Sequence, residues 1–536
     1  MNRSKAAFIG LIAVFSILII YYLISNKQKI DKSFIYQNKY NSISDKLSYV
    51  LELINEDYVD PVNIDSLTDG YIASFLQRLD PHSTYLTKEE LKKEQESLDG
   101  NFEGIGIQFR IIEDTIVVIQ PVKKGPSIKA GIMAGDRIVT INDTIRAGKK
   151  IDNNDVVRLL KGKKGTKVKL GIKREGIKNL IPFIVRRGVI PTFSVEYYGM
   201  IDKKTGYIRL SQFSQTSSQE VRDALKSLLK DNMQQLIFDL RGNGGGYLQQ
   251  AYQVADEFLS EGNLIVYTEG RNRDRDELIA TNEGLFEEGK LIVLIDEFSA
   301  SASEIVSGAM QDNDRGMIIG RRTFGKGLVQ EQRMLPDGSA IRLTIARYYT
   351  PSGRCIQRPY PTGDPEGYFN DFIQRYASMV RGEKDTIIHN DSLKYTTKKG
   401  RIVYGGGGIE PDVELPYYNY HKSEYYLQLI SKGILYKFCF DYVDKNRNSF
   451  KKYSTGEKFI QDFQVSESLY EDMRNYAQKN GVEKNIPIGN DKETILEIMK
   501  AYIAQGLFED KYYYSIFLHL DDDVQKALPY FSKIKE

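Results

Sequence analysis

The spacing of apolar residues changes several times along the chain, and each change predicts a different kind of structure. From Ala6 to Ile24 the run AAFIGLIAVFSILIIYYLI holds no charge. That is long enough to cross the ~30 Å hydrocarbon layer of a bilayer as one helix. It closes on Tyr21, Tyr22, Leu23 and Ile24 rather than on a small-residue cleavage site, which predicts an uncleaved anchor over 6–24 and not a removed signal peptide. Arg3 and Lys5 precede the run and Lys27, Lys29 and Lys32 follow it, so charge orients it only weakly. Between 40 and 98, Ile43, Leu47, Val50, Leu51 and Ile54 recur at helical spacing, and a second element follows over Asp69–Leu91 with Pro81 as a break.

From 100 to 187 the period shortens. GIGIQFRI, TIVVIQPV, DRIVTIN and KVKLGIKR read as strands, and DNNDVVRLLKG as a helix capped by Asp152 or Asn153. KKGPSIKAGIMAGDRIVTIN (Lys123–Asn142) resembles the core signature of a PDZ domain, with FEGIGIQF (Phe102–Phe109) where that fold keeps its carboxylate-binding loop. Turns at Gly104 and Gly106 can aim backbone N–H groups at a terminal carboxylate. Ile105 and Ile107 would flank the edge on which a peptide adds as a strand.

From 189 to 416 apolar strands alternate with helices, which predicts an α/β layered core. Ser217 and Glu220 suggest a capping box ahead of a helix with Val221, Leu225, Leu228 and Leu229 on one face. Residues 359–400, rich in proline, glycine and charge, read as an excursion from that core. Residues 417–536 are helical and rich in tyrosine, and are expected to pack over the core edge. The fold class is therefore multidomain α+β: membrane helix, helical segment, PDZ-like domain, α/β core and helical C-terminal region.

Composition narrows the function. Lys+Arg number 74 and Asp+Glu 72, so the net charge of +2 gives no field that would draw nucleic acid. Cys355 and Cys439 fit neither a zinc spacing nor a disulfide framework. No His/Cys/Asp cluster and no phosphate loop implies a metal or cofactor, so none is expected. His82, His389, His421 and His519 stand in scattered contexts.

Three stretches carry chemistry. DLRGNGGG (Asp239–Gly246) follows an apolar strand and opens a helix, where glycines permit positive φ and backbone N–H groups can hold an anion. EFSASASEIV offers Ser299, Ser301 and Ser303 at a second strand-to-helix corner. TFGKGLVQ places Lys326 between two glycines; if the strand includes it, Lys326, Leu328 and Gln330 share one face. A lysine held in the interior loses charge readily and can act as a base, and Gln330 can orient it.

Together these stretches, with LDPHSTYL, TPSGRCIQ and GIEPDVEL, resemble the C-terminal processing peptidases, or tail-specific proteases. The resemblance implies a core related to the ClpP/crotonase-like fold and Ser-Lys hydrolysis. In that family the nucleophile is the middle serine of Ser-Ala-Ser-Ala-Ser-Glu, here Ser301, with the base 25 residues on at Lys326 and an amide four further at Gln330. Ser303 would cap the helix. The N–H groups of Ala302 and of Gly245 or Gly246 would form the oxyanion site. The expectation is a single-pass membrane protease with its bulk on the extracytoplasmic, periplasmic side. Its partners would be substrates with free C-termini and the bilayer, with room for a homo-oligomer. The alternatives are a catalytically idle PDZ scaffold and acyl-CoA chemistry on a crotonase-like core.

Overall fold

The structure is a computed structural model that describes Tyr21 and residues 42–383, 385, 389–417, 422–483 and 486–534. The expected anchor at 6–24 lies outside the described residues except for Tyr21, and so does His421. Among the described residues no helix is long and apolar enough to cross a membrane. The chain divides into two compact units, 1–76 and 77–536.

The first unit contains α1 (Ile43–Asp57) and α2 (Ile64–Gln77), whose last residue opens the second unit. Ser42 and Asp45 form a reciprocal cap that starts α1.

The second unit begins with a tight turn at Asp80–Ser83, then β1 (Thr84–Leu86) and α3 (Lys88–Leu98). A β-rich domain follows. β2 (Asn101–Gly104) pairs with a later strand. β3 (Ile107–Ile112), β4 (Thr115–Pro121), β5 (Arg137–Ile141), β6 (Thr144–Ile145), β7 (Lys167–Lys173) and β8 (Ile181–Arg186) make one antiparallel sheet, flanked by α4 (Pro126–Ala130) and α5 (Asn153–Leu160). Asp152 caps α5, its side chain accepting the Asp155 N–H at 2.8 Å. Among the described residues β3 is an edge strand, paired only with β4. β9 (Gly188–Pro191) closes the domain on β2.

The core alternates strand and helix because its apolar runs are buried on both faces. Its main sheet runs in the order β10 (Val195–Met200), β11 (Thr205–Leu210), β12 (Gln235–Asp239), β15 (Lys290–Ile295), β16 (Met317–Gly320), β21 (Val413–Glu414), parallel from β11 onward. β13 (Leu264–Gly270), β14 (Arg273–Ile279), β17 (Leu328–Met334) and β18 (Ala340–Tyr349) form a second sheet that also receives β1. α6 (Ser217–Lys230), α7 (Leu248–Asp256) and α8 (Ala302–Asp312) pack between them, burying Leu225, Val254, Phe258 and Val306 with Phe238 and Val293. Each such side chain contributes roughly 1.5–3 kcal/mol by leaving water.

Two sequence expectations are corrected here. Ser217 is not the cap of α6: it is the first helical residue, its Oγ accepts the Ser214 N–H, and Glu220 instead accepts from Ser194, Val195 and Thr216. The strand that carries Gln330 starts at Leu328, after Lys326, and its register shifts between Val329 and Gln330.

The excursion contains α9 (Pro365–Val380), whose Tyr368 and Phe372 pack on Phe324 of the lysine loop, and a small hairpin, β19 (Lys394–Thr396) with β20 (Ile402–Tyr404). The C-terminal helices, α10 (Glu424–Ser431), α11 (Ile434–Phe450), α12 (Gly456–Asp462), α13 (Glu467–Lys479), α14 (Lys492–Leu507), α15 (Asp510–Phe517) and α16 (Asp522–Ala527), bury a cluster of their own around Cys439, Phe459 and Met499. They also touch the β-rich domain, where Arg137 pairs with Asp444 at 2.9 Å and Arg110 lies over the Tyr436 ring. Leu518, Val524 and Phe531 close the outer face of the main sheet.

Candidate active site

Two strands end side by side and set up the site. β12 ends at Asp239 and leads into the glycine turn; β15 ends at Ile295 and leads into the serine corner. Asp296 Oδ1 accepts the Gly242, Phe298 and Ser299 N–H groups, and Ser299 Oγ donates to the Leu240 carbonyl at 2.8 Å. Ser303 Oγ donates to the Asn243 carbonyl at 2.8 Å, so both flanking serines sew the serine corner to the glycine turn. Ser303 is therefore not the helix cap. That position belongs to Ser301, with φ 55 and ψ −111. A positive φ is costly for a residue with a side chain, and it presents Ser301 at a sharp strand-to-helix corner.

Gly245 lies directly against this corner. A Cβ there would stand 2.9 Å from Ser301 Cβ, and its φ of 103 is left-handed, so only glycine fits. The Gly245 N–H donates to Asn243 Oδ1 at 2.9 Å. Among the described residues the N–H groups of Gly246 and Ala302 have no acceptor.

Glu304 organises what lies between serine and lysine. Fully buried, it accepts the N–H of Ser301 (2.7 Å) and of Lys326 (2.9 Å) on Oε2, and the Gly325 N–H and Thr323 hydroxyl on Oε1. Burial pushes its carboxyl up to about 7 against the pull of these four donors. Tyr348 adds a second tie, its hydroxyl lying 3.1 Å from the Ser301 carbonyl and 2.7 Å from that of Lys326.

Lys326 Nζ donates to Gln330 Oε1 at 3.0 Å. Burial, then the nearby Arg342, hold its ammonium below the usual lysine range; Glu304, Asp80 and Glu94 oppose them. Ser301, Lys326, Gln330, Gly245 and Gly246 all line one cavity of about 630 Å³. Among the described residues no hydrogen bond joins Ser301 Oγ to Lys326 Nζ. No described histidine lines the cavity. His82 packs beside the lysine loop, and burial lowers its imidazole to about 4, so it is neutral. His389 stacks on Tyr404, far along the excursion hairpin.

Away from this cavity, Gly104 ends β2 and Gly106 has φ 72. Among the described residues the Ile105 and Gly106 N–H groups have no acceptor, beside the free edge of β3. The Ile105 side chain is buried in the domain core, and Ile107 is half-buried against it. Cys355 and Cys439 are both free thiols. Among the described residues no cluster of His, Cys, Asp and Glu is placed to hold a metal.

Residues 104–181 match a PDZ domain, 204–367 match peptidase family S41, and 425–509 match a family of unknown function. A probable CtpA-like serine protease of Staphylococcus epidermidis is 36% identical over 63% of this chain and 70% of its own length. The carboxy-terminal-processing protease of Bartonella bacilliformis is 37% identical over 65% of this chain and 81% of its own. The chain belongs to peptidase family S41. It is similar, at 37% identity over 59% of the chain, to the carboxy-terminal processing protease CtpA of Bacillus subtilis, of which it spans 66%. It is an S41 family peptidase with a PDZ domain, and its relatives are named carboxy-terminal processing proteases.

Sequence reasoning missed Glu304, Asn243, Arg342 and Tyr348. Only Glu304 left a trace: a glutamate three residues after the cap is the capping-box spacing.

Proposed function

We propose that this protein is a membrane-anchored serine endopeptidase that captures free C-terminal tails and cleaves with Ser301 as nucleophile and Lys326 as base. The observation that carries the reading is the shared cavity: Ser301 at a positive-φ corner, the glycine turn on one side and a lysine with a depressed pKa on the other. Neutral Lys326 takes the Ser301 proton as Oγ attacks the peptide carbonyl. Gln330 holds the amine by accepting one of its hydrogens. The developing oxyanion is received by the free N–H groups of Ala302 and Gly246, donors that typically contribute about 3–4 kcal/mol each to the transition state. Gly245 spends its N–H on Asn243, which favours Gly246 as the second donor. Collapse breaks the C–N bond as Lys326 returns the proton to the leaving amine; a water that gives a proton to Lys326 then attacks the acyl-enzyme, and Ser301 Oγ leaves with that proton as the acid product is released.

The free N–H groups of Ile105 and Gly106 beside the open β3 edge support capture of a terminal carboxylate by strand addition. The charge-free run at 6–24 supports an anchor with the remainder extracytoplasmic. The reading is tested with a serine-reactive fluorophosphonate on the wild-type and Ser301→Ala chains. Labelling and peptide cleavage are expected to vanish together; full cleavage by Ser301→Ala would overturn it.

A further inference from the structure

Gln330 can serve the base in only one of its two amide orientations. With Oε1 toward Lys326, the amine donates a hydrogen and keeps its lone pair for the Ser301 proton. Turned over, the amide NH₂ would donate into that lone pair and occupy it. The side chain alone has little preference between the two.

The choice is made by the backbone of a distant segment. Gln330 Nε2 donates to the His82 carbonyl at 2.7 Å, and a carbonyl can only accept. The flipped amide would set oxygen against oxygen there, so the His82 carbonyl excludes it. That carbonyl is in turn held by Asp80. Asp80 Oδ1 accepts the His82 N–H at 2.8 Å and the Ser83 N–H at 2.7 Å, and Oδ2 accepts the Ser83 hydroxyl at 2.6 Å. Thr344 donates its hydroxyl to Asp80 Oδ1 at 3.1 Å and its N–H to Ser83 Oγ at 3.1 Å. Thr344 is also the residue opposite Gln330 in the β17–β18 ladder. The turn and the glutamine are thus fixed to the same pair of strands. Asp80 itself is buried.

We propose that Asp80 is a positioning residue for the base: its turn aims the His82 carbonyl at Gln330 and so keeps the lone pair of Lys326 free. This rests on the Ser301–Lys326 reading. The charged and titratable groups around Lys326 are Arg342 from β18, Glu304 from α8, Glu94 from α3, and Asp80 and His82 from the turn.

The test measures kcat and KM against pH for the full chain, using an internally quenched peptide with a free C-terminal carboxylate. Asp80→Ala is expected to lower kcat about 10- to 100-fold with KM unchanged, the cost of a misplaced reacting group. Asp80→Asn keeps an oxygen to accept both N–H groups and regains most of the turnover. Its alkaline-going limb moves to lower pH, because the carboxylate that favours the ammonium is gone. Gln330→Glu still accepts from Lys326 but cannot donate to His82, and its limb moves to higher pH. Wild-type kcat in Asp80→Ala, or Asp80→Asn as slow as Asp80→Ala, overturns the proposal. If Asp80→Ala does not fold, Thr344→Val replaces it: a lower kcat at unchanged KM is expected, and wild-type kcat overturns. Lys326→Ala separates the two readings. Turnover without Lys326 sinks the dyad, whereas an inactive Lys326→Ala beside a fully active Asp80→Ala sinks the positioning role alone.

Discussion

Ser301 and Lys326 line one cavity without a hydrogen bond between them, although Glu304 accepts the backbone N–H of both. Their main chains are tied and their side chains are not. In the proposed dyad proton transfer needs heavy atoms within about 2.6–3.2 Å, so one of the two side chains is expected to turn toward the other when substrate binds. Lys326→Ala and Lys326→Arg are both expected to abolish steady-state peptide cleavage, the arginine because it stays charged.

The pH profile follows from the depressed pKa of Lys326. With Lys326 as the proposed base only the neutral amine is active, so activity is expected to rise as pH rises through that pKa. Arg342 helps depress it from its ion pair with Glu94, at 2.6 Å. Arg342→Gln relieves that repulsion, and the limb is expected to move to higher pH. A limb that moves to lower pH, in initial rates on stable enzyme, would contradict this electrostatic account.

Glu304→Gln tests the carboxylate that joins the two loops. The amide offers one acceptor oxygen where four donors converge, and its NH₂ faces two of them. Crowding donors without acceptors costs about 1–3 kcal/mol each. A loss of melting temperature and a fall in kcat are both expected. Thermal denaturation and cleavage assays measure them separately.

The glycine turn is clasped from far along the chain. Arg241 pairs with Asp239 inside the turn, and with Asp521 (2.8 Å) and Asp523 (3.0 Å); Asp523 also pairs with Arg321 at 3.0 Å. These groups are largely buried, so removing one partner leaves charge stranded. Asp523→Ala is expected to destabilise the protein by about 3–5 kcal/mol, read from urea denaturation. Its pH dependence has a definite sign. The arginines hold the Asp239 carboxyl well below the usual range, so its stabilisation is present above the unfolded-state pKa and fades as pH falls.

Tail capture is tested by charge. Amidating a substrate's C-terminus removes the anion that the Ile105 and Gly106 N–H groups would bind. Charge-assisted bonds contribute about 1.5–3 kcal/mol each, so binding is expected to weaken at least about tenfold. Isothermal titration of matched acid and amide peptides measures it; equal affinities would refute tail recognition.

The family resemblance singled out Ser301, Lys326 and Gln330, and the structure brings all three to one cavity. The sequence reading misjudged Ser303 because the helix begins one residue after a serine in left-handed backbone, a conformation that residue types do not announce. It treated His82 as a weak histidine because its contribution comes through a carbonyl that every residue has. Arg342 and Glu94 meet across 248 positions, and a pairing of that reach leaves no local pattern. The tyrosine-rich C-terminal helices were legible as helices. Their ties to Arg241 and to Arg137 were not, since a lone aspartate on a helix looks solvated.

The clasp on Arg241 has a consequence for biogenesis. Asp521 stands 280 positions after the arginine it holds. A growing chain acquires its serine, its lysine and its glycine turn long before it acquires that aspartate. Until the late helices arrive, Arg241 keeps Asp239 but lacks Asp521 and Asp523, and the turn is held by its ties to the serine corner without the clasp. The last brace on the turn beside the serine corner is therefore the last to be synthesised.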